Sequence, residues 1–100
     1  MEAALQALAE PRRRAILGLL GDAEMSAGEI ASHFDVTRPA ISQHLTVLRE
    51  AGLVIERREG TRRLYSSRPQ GVAELRAWLD RFWRDGLQRL RIEAEREAAR

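Results

Sequence analysis

Polar side chains that can hydrogen-bond to base edges and phosphates are concentrated between positions 37 and 46. They are Thr37, Arg38, Ser42, Gln43 and Thr46, with Pro39 among them. An arginine can bond guanine through two atoms, a glutamine can do the same with adenine, and hydroxyl groups can bond bases or phosphates. This set of residue types indicates recognition of double-stranded DNA. The alternative is an ordinary amphipathic surface helix that carries the same residues.

A helix must position these side chains, and residues 37–53 have the signals of one. Thr37 can cap the N-terminus, and Pro39 suits the first turn, where its missing N–H is not needed. Gly52 stands where a left-handed stop is expected. Three apolar residues share a narrow stripe at helical spacing: Ile41, Leu45 and Leu48. We therefore predict one buried face and one polar face.

The preceding segment predicts a partner helix over residues 27–34. Ser26 and Glu29 have the spacing of a capping box, in which the hydroxyl and the carboxylate each accept a backbone N–H. Ala31 is small enough for close helix packing, and residues 35–37 form a three-residue connection. This is the connection length of a helix-turn-helix.

The following segment predicts a β-hairpin, or wing. Two β-prone runs, 54–58 and 64–67, flank residues 59–61, and Gly60 can supply the positive φ of a tight loop. Four arginines lie on either side of the loop: Arg57, Arg58, Arg62 and Arg63. Such arginines can contact a phosphate backbone or enter a minor groove. Alternatively, they keep an exposed strand edge soluble.

Charge is distributed unevenly along the chain. The net charge is only +2, but residues 1–37 carry −3, residues 38–68 carry +4 and residues 69–100 carry +1. All 17 basic residues are arginine. The positive excess therefore coincides with the predicted reading helix and wing, as expected of a nucleic-acid-binding surface.

Length and composition limit the other classes of protein. One hundred residues predict a single domain over 1–100, and the fold class is mainly α with a β-hairpin wing. The chain has no cysteine, no long apolar run and no signal peptide before its first charges. We expect a soluble, cytoplasmic protein without membrane contact. No phosphate-binding glycine loop or nucleophile–base pair indicates an enzyme.

Two short helices are predicted before the helix-turn-helix. Residues 3–9 form the first, with Leu5 and Leu8 buried, and Pro11 begins a second that Gly21 ends. Four of its residues are expected to face the core: Ala15, Ile16, Leu19 and Leu20. Three cations crowd its first turn, where the helix dipole opposes them: Arg12, Arg13 and Arg14. They either form internal salt bridges or contact DNA.

The last third predicts a long helix over residues 69–97, with a break near Gly86. Its wide apolar band comprises Val72, Leu75, Trp78, Leu79, Phe82, Trp83, Leu87 and Leu90. Because one small domain cannot cover this band, we expect a homodimer interface. We assign to it Leu5, Leu8, Leu75, Trp78, Leu79, Phe82 and Trp83. Alternatively, the band packs on its own domain, or it holds a hydrophobic ligand between two long helices.

Four stretches together resemble the ArsR-type winged-helix repressors. They are Pro11-x-Arg13-Arg14-x-Ile16-Leu17, Gly28-Glu29-Ile30-Ala31, Ala40-Ile41-Ser42-Gln43-His44-Leu45-x-Val47-Leu48-Arg49-Glu50-Ala51-Gly52-Leu53-Val54 and Arg58-Glu59-Gly60-x-Arg62-x-x-Tyr65. The resemblance spans residues 3–85. It implies a winged helix-turn-helix, dimerised through its first and last helices, that binds operator DNA and represses nearby genes. It places Thr37, Arg38, Ser42 and Gln43 against bases or phosphates.

The chain departs from the metal-sensing members of that family. Those members carry a Cys-x-Cys pair in the first motif helix, or histidine and carboxylate ligands on the last helix. Here cysteine is absent, and the two histidines, His33 and His44, lie elsewhere. Two imidazoles alone make a poor zinc site, so we expect His33 to face solvent and His44 to pack or approach the groove. We expect neither metal nor cofactor, and the tail from Trp78 to Trp83 resembles a metal-independent branch.

The sequence analysis thus predicts a homodimeric repressor that binds a palindromic operator. The alternative is a winged helix that serves as a protein–protein interaction module, which would favour an apolar or acidic reading face. RNA is disfavoured because its deep major groove excludes a helix. The operator, the regulated genes and any small-molecule inducer are left open.

Overall fold

The helices and the two strands of the wing follow the predicted order, whereas the short strand at residues 25–26 was not predicted. The computed structural model describes residues 1–99. The elements are α1 (Glu2–Ala7), α2 (Pro11–Leu20), β1 (Met25–Ser26), α3 (Ala27–Ala31), α4 (Arg38–Glu50), β2 (Val54–Glu59), β3 (Arg62–Ser67) and α5 (Pro69–Ala98). The strands form one antiparallel sheet in the order β1-β3-β2. A mainly helical chain with a β-hairpin wing is confirmed.

Helix α4 lies over the centre of the core. Ile41, Leu45 and Leu48 are fully buried, which confirms the predicted stripe. Five further large side chains complete the centre of the core: Ile16, Leu20, Ile30, Leu53 and Val54. The inward face of α4 is therefore held by apolar packing from helices on one side and the sheet on the other.

Local hydrogen bonds define both ends of α4. The Thr37 hydroxyl accepts the N–H of Ala40 at 3.3 Å. At the other end Gly52 has a φ of 77°, and the N–H of Leu53 donates to the carbonyl of Leu48 at 3.0 Å. This last bond spans the helix end in the manner of a Schellman motif, which needs a left-handed residue at the glycine position.

The wing is a tight hairpin. Cα pairing continues to Glu59 and Arg62, so only Gly60 and Thr61 form the loop. Gly60 has a φ of 64°, as the prediction required. The loop is one residue shorter than predicted because Glu59 belongs to β2.

Several boundaries and side chains differ from the predictions. α1 spans residues 2–7 rather than 3–9, and α3 ends at Ala31 rather than Phe34. After α3 the N–H groups of His33 and Phe34 bond carbonyls three residues earlier, so the chain continues as tight turns. The predicted burial of Ala15 is wrong, since its side chain is exposed while Leu17 packs against the core. In α1 the buried residues are alanines, while Leu5 and Leu8 are only half-buried.

Helix α5 is continuous, so the predicted break near Gly86 is wrong. A glycine inside a helix costs only about 1 kcal/mol, which the 30 residues of α5 tolerate. The helix is about 45 Å long at the usual rise per residue. Its buried residues, Gly71 and Leu75, lie near its start, so the remainder projects from the core. No helix within residues 1–99 is long and apolar enough to cross a membrane.

Candidate nucleic-acid interface

The polar face of α4 presents the predicted reading residues to solvent. Arg38, Pro39, Gln43 and Thr46 are exposed, and Ser42 is half-buried. The exposed side lies opposite the buried stripe, so the side chains share one direction. Side chains that can hydrogen-bond to base edges can enter a major groove together when they lie on one exposed helical face.

Two hydroxyl groups of this face already have partners within the helix. Thr37 caps α4, as described above, and the Thr46 hydroxyl donates to the carbonyl of Ser42 at 3.0 Å. A threonine hydroxyl that donates to the helix backbone can still accept a hydrogen bond from outside. Arg38 and Gln43 therefore have the greater freedom to reach bases.

An open cleft of about 380 Å³ separates α4 from the wing. Arg38 and Ser42 line it from the helix, and Thr61, Arg62 and Arg63 line it from the hairpin. Ser26 and Tyr65 line it as well, so three guanidinium groups and four hydroxyl groups surround one concavity and form a cationic surface rich in donors. The structure thus brings four of the predicted residues to one cleft, and the other six do not line it: Thr37, Pro39, Gln43, Thr46, Arg57 and Arg58.

Two carboxylates hold Arg57 against the sheet. Its guanidinium donates to both oxygens of Glu24, at 2.6 and 3.0 Å, and to Glu59 at 3.1 Å. The hydrogen bond from Arg57 is the main cause of a lowered pKa at Glu24. These carboxylates in turn raise the pKa of Arg57. The forked contact is the geometry in which arginine binds a carboxylate most strongly.

A further carboxylate joins the wing to the start of α3. Glu29 Oε1 accepts the N–H of Ser26 at 3.2 Å and a bond from Arg62 at 2.7 Å. Glu29 therefore completes the predicted capping box, and the same oxygen atom accepts the hydrogen bond from Arg62 of the wing. The pKa of Glu29 is lowered first by its bonds to Ser26 and then by Arg62.

Glu56 connects the C-terminal end of α4 to both strands of the hairpin. Its carboxylate lies 2.6 Å from Arg49 of α4 and 3.6 Å from Arg63 of β3. The Glu56 side chain is only 15% exposed, so this bridge is better shielded from solvent than the other ion pairs of the wing. This ion pair joins the wing to the C-terminal end of the reading helix.

Arg38 and Arg58 differ from the other cations of this surface. Both are exposed, and neither forms an ion pair with any residue of the described range 1–99. Arg49, Arg57, Arg62 and Arg63 all have carboxylate partners.

The three arginines at the start of α2 were expected to form internal salt bridges or to contact DNA. Within the protein they make other contacts. Arg13 donates to the carbonyl of Ala7, and Arg14 donates to that of Leu8 at 2.7 Å. Arg12 lies over the Phe34 ring at 5.2 Å from its centroid. Carbonyls at a helix C-terminus lack intrahelical partners, and cations there interact favourably with the dipole. Arg13 and Arg14 thus cap the end of α1, and none of the three arginines forms a salt bridge within residues 1–99.

The two histidines lie apart from each other. His33 is exposed, whereas His44 is half-buried with Nδ1 3.4 Å from Arg13. Their expected environments are therefore observed. Within residues 1–99 no three histidine or carboxylate side chains are grouped as metal ligands.

The predicted interface residues fall into two groups. Leu75 is buried by the core of its own chain, and Trp78 is half-buried with its ring stacked on Phe82 at 5.4 Å. Leu79, Phe82 and Trp83 are 45%, 58% and 67% exposed. The alternative in which the whole band packs on its own domain is therefore wrong, and Leu87 and Leu90 extend the exposed band.

Comparisons with known proteins agree with this geometry. A family model described as "Helix-turn-helix domain" matches residues 8–57. The HTH-type transcriptional regulator Rv2034 of Mycobacterium tuberculosis is 52% identical over 80 residues, covering 80% of this chain and 75% of the relative. The transcriptional repressor SdpR of Bacillus subtilis is 35% identical over 86 residues, covering 86% of this chain and 96% of the relative.

A solved structure extends the similarity from sequence to fold. The homodimeric winged helix-turn-helix DNA-binding domain of Mb0332 from Mycobacterium bovis, a possible ArsR-family transcriptional regulator, matches with a TM-score of 0.69 and 35% identity. The match covers 86% of this chain and 80% of that one. This chain belongs to the ArsR-type winged helix-turn-helix transcriptional regulators. Membership confirms DNA binding and transcription regulation as its function, and it confirms that the regulator is not an enzyme.

Sequence reasoning did not find the ion pairs that hold three of the wing arginines. Glu24, Glu29 and Glu56 hold the wing arginines, but only Glu29 was noticed, and for its capping spacing alone. One signal was available, since residues 1–37 carry −3 and residues 38–68 carry +4. Opposite charge on neighbouring segments favours ion pairs between them.

Proposed function

We propose that this ArsR-type regulator is a cytoplasmic, homodimeric repressor that binds a palindromic operator and needs no metal or other cofactor. The observation that carries the proposal is one exposed reading face beside a basic cleft, in a chain whose long helix leaves a band of large apolar side chains uncovered.

The dimer rests on the exposed apolar band of α5. Phe82, Trp83 and Leu90 are each more than half exposed, and aromatic side chains are typical anchors of protein interfaces. A second copy is the simplest partner for such a band. The contact would be formed by Leu5 of α1, by Leu8 directly after α1 and by the face of α5 from Trp78 to Trp83. Leu75, which is buried in the core of its own chain, would support this face from below.

The reading residues suit two successive major grooves. Arg38, Ser42 and Gln43 would contact base edges, while Thr37, Pro39 and Thr46 would lie along the groove wall. The wing arginines would lie beside the phosphate backbone. A two-fold dimer would place two α4 helices about 34 Å apart, so the operator would be a palindrome with one helical turn between its half-site centres.

The absence of a metal requirement rests on the residue types available. The sequence has no cysteine, and α5 has no histidine. His33 is exposed, whereas His44 is half-buried. Structural and regulatory metal sites usually gather three or four such ligands. Whatever relieves repression would therefore be a signal of another kind, such as a small-molecule inducer.

The test is fluorescence anisotropy with duplex from upstream of the regulator's own gene and with random duplex, over a series of salt concentrations. We expect tight, selective binding with a steep salt dependence. Added zinc or a chelator should leave the affinity unchanged, and transcription from that promoter in vitro should fall.

Other outcomes would contradict specific parts of the proposal. Weak and equal binding to both duplexes, with no sequence enriched by selection from random DNA, would refute operator recognition and favour a protein-interaction module. A metal-dependent change in affinity would refute the cofactor-free reading. Increased transcription would make the regulator an activator.

A further inference from the structure

We propose that Arg38 and Arg58 supply the net phosphate neutralisation of the DNA face, whereas Arg57 and Arg62 are positioning residues held by Glu24 and Glu29. The inference rests on the proposed DNA-binding function and divides the basic residues of that site into two classes. The division follows from their ion pairs in the free protein.

The hairpin register separates the wing arginines. Arg58 lies opposite Arg63, and Glu59 lies opposite Arg62. Residues directly opposite in an antiparallel pair share a face, and neighbours along a strand alternate. Arg57 and Arg62 therefore share one face of the hairpin, and Arg58 and Arg63 share the other.

The face with Arg57 and Arg62 is neutralised by the chain itself. Arg57 is bonded to Glu24 through two nitrogens, and Arg62 is bonded to Glu29. Glu24 directly precedes β1, and Glu29 lies in the first turn of α3. Each is 33 residues before its arginine partner. The contacts therefore tie the wing to the helix-turn-helix, and a phosphate that takes over the charge of either guanidinium competes with a carboxylate already bonded to it.

Displacement has a consequence for salt dependence. Each phosphate neutralised on duplex DNA contributes about −0.9 to the slope of log affinity against log salt, because a condensed cation is released. When a carboxylate loses its arginine at the same time, it attracts a cation and offsets that release. Arg57 and Arg62 should therefore contribute little to the slope, while the unpaired Arg38 and Arg58 contribute fully.

The experiment compares neighbouring arginines on opposite faces of one strand. We would measure the salt dependence of binding to a random duplex for Arg58→Ala and Arg57→Ala, with Arg84→Ala on α5 as the control for lost charge. Arg58→Ala should make the slope less steep by about 0.9 per protomer, which is about 2 for a dimer. Arg57→Ala should lower affinity through a displaced wing with an unchanged slope.

Glu24→Gln provides a test in the opposite direction. The amide removes the charge that neutralises Arg57, so the slope should become steeper by up to about 0.9 per protomer. Equal flattening by Arg57→Ala and Arg58→Ala, or no effect of Glu24→Gln, would overturn the division while leaving DNA binding established. A failure of the unaltered protein to bind any duplex would overturn the proposed function as well.

Discussion

Substituting Gly71 should reveal how closely α5 packs on the end of the reading helix. A Cβ at this position would overlap the carbonyl oxygen of Gly52 and lie 3.0 Å from its carbonyl carbon. Both atoms belong to the backbone of the turn after α4. The turn is also held by Arg68, whose N–H donates to the carbonyl of Leu53 at 2.8 Å. A methyl group can therefore be accommodated only if α5 or this turn moves.

The expected cost follows from two opposing effects. Overpacking of a tight contact costs about 1–3 kcal/mol, or more where backbone must shift. Alanine is favoured over glycine within a helix by about 1 kcal/mol, which offsets part of this. We expect Gly71→Ala to destabilise the fold by about 1–2 kcal/mol. At this chain length each kcal/mol lowers the melting temperature by about 4–8 °C.

Two glycines serve as matched controls. A Cβ at Gly18 in α2 or at Gly86 in α5 would meet no atom within 4 Å. Gly18→Ala and Gly86→Ala should therefore stabilise the protein by up to about 1 kcal/mol. The assay is thermal unfolding by circular dichroism at one fixed protein concentration, because dimerisation makes the melting temperature concentration-dependent. If Gly71→Ala melts at or above the temperature of the controls, the close contact is refuted.

Three further predictions concern the interface, the reading face and acid stability. Trp83→Ala should weaken the dimer by about 2 kcal/mol or more, as expected of a central aromatic anchor; a variant still dimeric at the same dilution in sedimentation analysis would contradict the interface. Gln43→Ala should cost about 1–3 kcal/mol of operator binding and relax the preference at one base pair per half-site; unchanged affinity and preference in a binding selection would refute that contact. Glu24 and Glu29 have pKa values lowered from 4.5, so the stability they contribute is present above pH 4.5 and is lost as pH falls through their folded values. Melting temperature against pH should therefore fall less steeply in acid for Glu24→Gln, and an identical profile would show that the ion pair with Arg57 adds nothing.

The elements predicted most accurately from the sequence are those with local signals. α4 has a capping hydroxyl, an early proline, an apolar stripe and a left-handed glycine, all within a few residues of the bonds they make. The hairpin depends on Gly60 and its neighbours in the same way. Boundaries were less accurate where competing turns have similar energies, as after α3.

Contacts between distant segments were not predictable from these patterns. Glu24 and Arg57 are 33 residues apart, and nothing local to either indicates the other. The arginines at the start of α2 were interpreted through salt bridges or DNA, since the carbonyls at the end of α1 become available only once the two helices are packed. Gly71 was overlooked for the same reason. Its small size matters only because Gly52 approaches it in the fold.

The contact between Gly52 and Gly71 places the start of α5 directly against the turn that follows α4. Gly52 follows α4, the helix proposed to read DNA, and Gly71 lies in the first turn of the helix that carries the exposed apolar band. Because no side chain lies between the two backbones, little tilt of α5 can be absorbed there without moving the end of α4. The wing is joined to the same end of α4 by the ion pair between Glu56 and Arg49. Any ligand that repositions two paired α5 helices would therefore change the separation of the two reading helices, and a fixed operator would register that change as lost affinity.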